Sequence, residues 1–245
     1  MNNLFQSVAE NGLYVLGFLA VIAGVFLAAL LLEKAARKKN GDKEKIFSTR
    51  KVAMIGMFSA VAVILHLLDF PLPVAPGFYK LDFSELPILV GSFAFGPAAG
   101  VMMEFVKILL KLCIKGTSTA FVGDLANFVV GCSFILPASA IYAFHKSRKS
   151  AIAACITGTL VMTVFGTAFN AVYLLPAFSK LYNIPMEEIL KAGADLNPLV
   201  TEGSIVSFVA ACVAPLNLIK GGAVSLVTMF IYKPLSPIIK TGRRS

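Results

Sequence analysis

Two polar residues near the end of the chain, Asn217 and Lys220, lie inside a long apolar run. Their spacing of three places both side chains on one face of a helix. A charge in an apolar helix usually faces a cavity or a partner, and an amide beside an ammonium suits a ligand rich in hydroxyl and carbonyl oxygens. The pair therefore indicates a binding site; the alternative is a lysine that extends to a membrane surface beside a structural amide.

A second polar residue in an apolar run, Asn170, has aromatic neighbours at Phe169 and Tyr173. An asparagine amide offers two donors and an acceptor, which suit the polar edge of a heterocycle, and aromatic rings pack on a flat ring. A structural amide among core aromatic side chains explains the same pattern equally well.

A third group, Glu104, Lys107 and Lys111, recurs at spacings of three and four, so a helix places it on one stripe. Glu104 and Lys107 either neutralise each other or take part in ligand binding, and the internal pair is the simpler interpretation. A loop of small hydroxyl residues then leads to Asp124 and Asn127, which either cap the following helix or face a ligand cavity.

The sequence carries no recognisable catalytic or metal-binding motif. The four cysteines stand alone in apolar stretches, and the two histidines have no metal-ligand spacing between them. There is also no phosphate-binding loop of the GxxxxGK[ST] type, so the chain does not hydrolyse ATP by that route. We therefore predict a protein that is not an enzyme and that has no cofactor.

Composition shows which elements must position these residues. Of the 245 residues, 58% are hydrophobic and only 14% are charged, whereas soluble domains average about 25% charged residues. Lipid must therefore solvate much of the surface, which argues against a soluble enzyme, a nucleic-acid binder or a disordered regulator. The net charge of +9 then fits a positive-inside topology, since most Lys and Arg residues fall in the predicted cytoplasmic segments.

The apolar runs predict an all-α integral membrane protein with a six-helix core and one extra N-terminal transmembrane helix. We divide the chain into a helix over 1–33 with its N-terminus outside, a basic cytoplasmic linker over 34–51, and a membrane core over 52–245 with a cytoplasmic C-terminus. A short amphipathic helix is expected at 186–192, within the outer loop 176–203. The predicted core spans are 52–68, 83–95, 98–112, 121–144, 151–175 and 205–232.

Small residues on the first core span, notably Gly56 and Ala60, form a face of the small-xxx-small type. Such faces let helices approach closely in lipid. The pattern is common, so it indicates a helix contact without naming the partner.

Several motifs are informative as a set, namely residues 79–87 (YKLDFSELP), residues 90–100 (VGSFAFGPAAG), the 116–119 (GTST) and 123–131 (GDLANFVVG) runs, the Phe169-Asn170 step, and the Asn217 and Lys220 pair. Together they resemble one family, the riboflavin-specific S components of energy-coupling-factor (ECF) vitamin transporters. The resemblance covers about residues 48–240. At Gly56 the family has an alanine, so the chain departs from the family pattern there.

The resemblance implies a six-helix core in the cell membrane that binds riboflavin from outside as a transported ligand. Asn170, Asn217 and Lys220 match flavin-contacting positions, and the outer loop 71–80 would help to close the site. It also implies three partner subunits: a transmembrane coupling subunit, which would contact the Gly56 and Ala60 face, and two ATPases.

Two other hypotheses stay open at this point. The chain is either an S component for a different vitamin or heterocycle, or a small membrane enzyme acting on lipid with Glu104 or Asp124 as its acid–base group. The absence of paired motif carboxylates and metal ligands counts against the enzyme. For the riboflavin hypothesis, the candidate ligand-binding residues are Asn170, Asn217, Lys220, Phe169, Tyr173, Asn127 and Glu104.

Overall fold

The computed structural model describes residues 12–42, 45–73 and 75–240, and these are mostly helical. Two short strands, β1 (Phe70–Pro71) and β2 (Lys80–Leu81), pair antiparallel within the loop after the second helix. The helices are α1 (Gly12–Asn40), α2 (Thr49–Leu67), α3 (Glu85–Phe95), α4 (Pro97–Lys115), α5 (Val122–Phe144), α6 (Arg148–Phe169), α7 (Leu175–Tyr182), α8 (Met186–Leu196), α9 (Ile205–Phe208) and α10 (Ala214–Lys240).

The described helices include segments long and apolar enough to cross a membrane, which confirms the predicted all-α membrane fold. The five such segments are Val15–Asn40, Thr49–Leu67, Val122–Phe144, Arg148–Tyr182 and Ile205–Ile231. Helix α3 is apolar but shorter, and α4 carries Glu104 and three lysines. The count of six core spans plus one stays a prediction.

Two stretches of π-helix interrupt the long apolar segments, and each precedes a proline. They are Asn170–Leu174, before Pro176, and Val209–Val213, before Pro215. Proline has no N–H to donate and its ring clashes with the carbonyl four residues earlier, so a wider turn relieves the clash. The backbone is therefore locally distorted beside two of the predicted ligand positions, Asn170 and Asn217.

Helix α1 extends further than the sequence predicted. It continues through the basic residues to Asn40, so the first part of the predicted linker 34–51 is helical. Lysine, arginine and alanine favour helix, and the first conformational break is Gly41, whose φ of +66° is typical of the residue that ends a helix. The remaining connection to α2 is short.

A buried carboxylate fixes α1 to the core. Glu33 is 2% exposed, and its Oε2 accepts a hydrogen bond of 3.0 Å from the backbone N–H of Ala98, in the first turn of α4. Arg37 pairs with the other carboxylate oxygen at 2.7 Å. A negative charge at a helix N-terminus is favourable, so Glu33 stabilises the turn that joins α3 to α4.

Helices α5, α6 and α10 pack side by side and carry four of the predicted site residues, Asn127, Phe169, Asn217 and Lys220. Helices α5 and α6 approach closely because Gly158 leaves room for Phe134 and Ala138. The predicted amphipathic helix in the outer loop is present as α8, and it ends at Leu196 rather than at residue 192. The N-terminal tail 1–11 and the last basic residues, Arg243 and Arg244, lie outside the described residues.

Replacing Glu33 with alanine tests the attachment of α1. We expect Glu33→Ala to lower the free energy of unfolding by about 1–3 kcal/mol, since it leaves the Ala98 N–H without its acceptor and removes the ion pair with Arg37. Thermal or denaturant unfolding of the purified protein in detergent measures this. Glu187→Ala, at an exposed position on α8, is the control, and equal stability of the two variants would contradict the assignment.

Candidate functional site

A cavity of about 170 Å³ lies at the end of the helix bundle where α3 and α5 begin and α6 ends. Its walls come from the loop before α3, the first turns of α5, the π-helix after α6 and the start of α10. Four of the seven predicted ligand-binding residues line it, namely Asn127, Asn170, Asn217 and Lys220. Residues far apart in sequence therefore meet at one cavity, and their contact with a ligand stays a prediction.

Two amide atoms of this cavity are buried without a hydrogen-bond partner among the residues that the structure describes. They are the donor Nδ2 of Asn217 and the acceptor Oδ1 of Asn127. Unpaired buried polar atoms are costly, at about 1–3 kcal/mol each. Gly166 makes room for the Asn217 amide, because a Cβ there would lie 2.7 Å from Nδ2. One donor and one acceptor are thus available to a polar ligand.

The third amide, that of Asn170, is already engaged. Its Nδ2 donates to the Gly166 carbonyl at 2.7 Å, and its Oδ1 accepts from the Tyr79 hydroxyl at 2.8 Å. Burial raises the pKa of the Tyr79 hydroxyl, which therefore stays protonated and donates. Tyr79 lies in the loop between α2 and α3, so this loop covers the cavity through a direct bond to a predicted ligand-binding residue.

The covering loop is anchored at both ends. Strands β1 and β2 close it into a hairpin, and Lys80 pairs with Asp69 at 3.2 Å across the base. At its tip, the ring of Phe78 packs against Phe178 of α7, with ring centroids 6.1 Å apart. The loop is thus positioned by its own pairing and by a contact with the opposite wall.

Behind the cavity runs a chain of buried charges that alternate in sign. Lys220 lies 3.1 Å from Asp82 and 2.8 Å from Glu85. Glu85 also pairs with Lys107 at 3.4 Å, and Lys107 lies 2.7 Å from Glu104. All five of these residues are buried. The chain joins the start of α3 to α4 and α10.

Asp82, in the loop before α3, is the end of this chain nearest the cavity mouth. Burial alone would raise the pKa of its carboxyl, but the Lys220 ammonium and the His66 ring outweigh that effect and hold the pKa well below its usual range. His66 Nδ1 lies 3.3 Å from the carboxylate, and the backbone N–H of Ser84 donates to it at 2.8 Å. Asp82 is therefore a stable counter-ion for Lys220.

Other predicted site residues lie outside the cavity lining. Glu104 forms the predicted internal pair with Lys107. Phe169 stacks on Phe165, with ring centroids 5.8 Å apart, and packs against Tyr173 at 5.0 Å. The aromatic side chains that line the cavity are instead Phe78, Tyr79 and Phe178. A contact of Phe169, Tyr173 or Glu104 with ligand stays a prediction.

Two further predictions concern residues beside or away from the cavity. Asp124 accepts from Lys111 at 2.6 Å and from Thr117 at 2.8 Å, so it holds the loop that precedes α5. Gly56 and Ala60 lie exposed on α2, and a Cβ added at Gly56 would meet nothing within 4 Å. The small-residue face is therefore open to a partner.

Sequence reasoning missed Asp82, Glu85 and His66 as parts of the site. A signal was available, because Lys107 and Lys220 lie in apolar segments and each needs a buried counter-ion. Few acidic residues adjoin the apolar runs, and Asp82 and Glu85 are two of them. Charge balance would have directed attention to them, although the pairing itself depends on the fold.

The family model for the substrate-specific component of ECF transporters matches residues 50–232. The chain belongs to this family. Members of the ECF substrate-specific family are substrate-binding components of transporters, so the chain is a multi-pass membrane protein and not an enzyme. Helix α1 and its connection to α2 lie outside the matched residues.

Relatives of this ECF component are named for the substrate that they transport. The riboflavin transporter FmnP of Bacillus subtilis is 31% identical over 79% of this chain and 96% of its own length. The riboflavin transporter RibU of Staphylococcus aureus is 34% identical over 83% of this chain and 97% of its own length. A solved S component of a bacterial ECF transporter is 35% identical, with a TM-score of 0.60 over 78% of this chain and 98% of that one.

The two lysines of the charge chain are expected to contribute unequally to the free energy of unfolding. Lys107→Ala removes the lysine that pairs with Glu104 and one of the two lysines that pair with Glu85. We therefore expect a loss of about 3–5 kcal/mol in the free energy of unfolding. Lys220→Ala costs less, because Asp82 keeps His66 and Glu85 keeps Lys107. Thermal unfolding of the purified variants measures both, with Lys191→Ala at an exposed position as control. A greater loss for Lys220→Ala would refute this ordering.

Proposed function

We propose that this protein captures riboflavin from outside the cell and mediates its uptake as the substrate-binding subunit of an ECF transporter. The observation that carries the proposal is the pair of buried, unpartnered amide atoms at Asn127 and Asn217, in a cavity that also holds Asn170 and Lys220. Riboflavin combines a heterocycle edge of carbonyl and N–H groups with a hydroxylated chain. Amides and an ammonium can bind both parts.

The names of the relatives support riboflavin as the substrate. Two of them, from Bacillus subtilis and Staphylococcus aureus, are riboflavin transporters aligned along nearly their full length. The family match over residues 50–232 includes the helices that build the cavity. We therefore favour riboflavin over another vitamin within the same family.

The covering loop must move for a flavin to bind. Small-molecule sites usually measure about 300–1,000 Å³, whereas this cavity has about 170 Å³. Phe78 and Tyr79 take up part of the room, and the Tyr79 hydroxyl engages the Asn170 amide. Displacing this loop enlarges the cavity and frees Asn170, and the aromatic rings of the loop and of Phe178 can then pack on the isoalloxazine.

Energy for transport would come from partner subunits. We propose a transmembrane coupling subunit that docks on the exposed Gly56 and Ala60 face of α2, and two ATPases bound to that subunit. The face supports this because it is exposed and has no bulky side chain at either position, which allows close helix contact in lipid. Transport would follow a tilt of the whole domain, driven by ATP hydrolysis in the partners.

Amide and ammonium deletions test the site. We expect Asn217→Ala and Lys220→Ala each to weaken riboflavin binding at least tenfold, or about 1.4 kcal/mol, because each removes a polar group of the cavity wall. Quenching of flavin fluorescence on titration with purified protein measures the affinity. Lys180→Ala, exposed on α7, should bind as the unmodified protein does. Unchanged affinity in both cavity variants would remove the assignment.

The Tyr79 hydroxyl gives a prediction of opposite sign. Tyr79→Phe keeps the ring and removes the bond to Asn170, so we expect riboflavin to bind about two- to tenfold more tightly, which is the worth of one net hydrogen bond. The same titration measures the effect. Tyr182→Phe is the matched control, because its hydroxyl contacts Ser118 on the exposed surface. Weaker binding by Tyr79→Phe would mean that the hydroxyl contacts the ligand.

A further inference from the structure

A second cavity, of about 310 Å³, lies at the opposite end of the helix bundle from the substrate site. It forms where the end of α1 and the loop to α2 meet the turn between α3 and α4 and the end of α5. Helix α1 contributes Glu33, Ala36, Arg37 and Asn40 to its wall. The cavity thus depends on the helix that lies outside the family match.

Contacts at two levels hold α1 in this position. Glu33 binds the N-terminal turn of α4, as described above. One end of the helix is tied to α5, because Asn40 Nδ2 donates to the Ala143 carbonyl at 2.8 Å and Lys39 Nζ lies 3.2 Å from His145 Nε2. The cavity wall is therefore built from side chains whose positions the core determines.

Positive charge dominates the lining. It includes five cationic residues, Arg37, Lys45, Arg50, Lys51 and Lys146, against two acidic ones, Glu33 and Asp42. The Glu33 carboxylate is already matched by Arg37 and by the Ala98 N–H. Lys51 is only 9% exposed, and its Nζ donates a long hydrogen bond of 3.5 Å to the Lys45 carbonyl in the same wall. The cavity thus has a net positive charge.

The surroundings favour a ligand at the membrane surface. Helix α1 exposes Leu19, Leu27 and Leu31 along its length, a surface suited to lipid, and it changes to basic residues where the cavity opens. The predicted topology places this end on the cytoplasmic side. Basic pockets between transmembrane helices on that side bind anionic headgroups.

We propose that this cavity binds a phosphate-bearing anion, supplied either by the headgroup of an anionic lipid or by a soluble phosphate. The volume of about 310 Å³ is adequate for a phosphate with a small organic group. Exposed cations at Lys45, Arg50 and Lys146 meet the anion at the mouth, and Lys51 meets it in the wall. Helix α1 thereby gains a function beyond anchoring, independent of riboflavin capture.

Binding titrations of the purified full-length chain test the proposal. The probes are dihexanoyl phosphatidylglycerol and dihexanoyl phosphatidylcholine, both below their micelle concentrations, and sodium phosphate against sodium chloride at equal ionic strength. If a lipid headgroup is the source of the anion, we expect phosphatidylglycerol to bind at least tenfold more tightly than phosphatidylcholine. Saturable phosphate binding without a lipid preference identifies a soluble source. If the protein shows neither the lipid preference nor saturable phosphate binding, the proposal is overturned.

Two triple variants with the same change in net charge provide the decisive comparison. Lys45→Gln with Arg50→Gln and Lys146→Gln removes the exposed cations of the cavity. Lys34→Gln with Lys38→Gln and Lys149→Gln removes exposed cations outside its lining. We expect about a tenfold loss of anion binding in the first variant only, with riboflavin affinity unchanged in both. Equal losses of anion affinity in the two variants would mean that the anion responds only to the overall surface charge, and would refute the site.

Discussion

The alternating chain of buried charges is the interaction on which the arrangement of the substrate site depends. Glu85 lies between Lys107 and Lys220, so the first residue of α3 links α4 to α10. An isolated charge in this apolar environment is strongly unfavourable, whereas a chain of alternating charges lets each ion stabilise its neighbours. The helices can therefore pack with these residues buried only in the register that pairs them.

This constraint also determines which groups remain available to a ligand. Lys220 is held by Asp82 and Glu85, so its ammonium lies at the cavity wall with a defined orientation. Asn127 Oδ1 and Asn217 Nδ2 have no hydrogen-bond partner among the described residues. The π-helical turns before Pro176 and Pro215 shape the backbone around the cavity. A rigid charged wall beside unpartnered amides is an arrangement suited to selective binding of a neutral, polar heterocycle.

The two cavities lie at opposite ends of one bundle and differ in chemistry. The substrate cavity is small, covered by a hairpin loop and lined by amides, aromatic rings and paired charges such as Lys220 and Asp82. The other cavity is larger, is lined by several basic side chains, and has α1 as part of its wall. Helix α3 and the start of α4 run between them, with Glu85 at one end and the Glu33 contact at the other. Buried carboxylates thus fix both ends of the same pair of helices.

Apolar periodicity and isolated polar residues are local properties, so the sequence alone predicts the membrane fold, most helix positions and a polar site at Asn170, Asn217 and Lys220. It did not place Phe169 and Tyr173 relative to the cavity, since which face of a helix turns inward depends on its neighbours and on the π-helical turn. Nor did it pair Lys220 with Asp82 or join Glu33 to Ala98. Those contacts connect distant segments, and only the packed helices bring them within hydrogen-bonding distance.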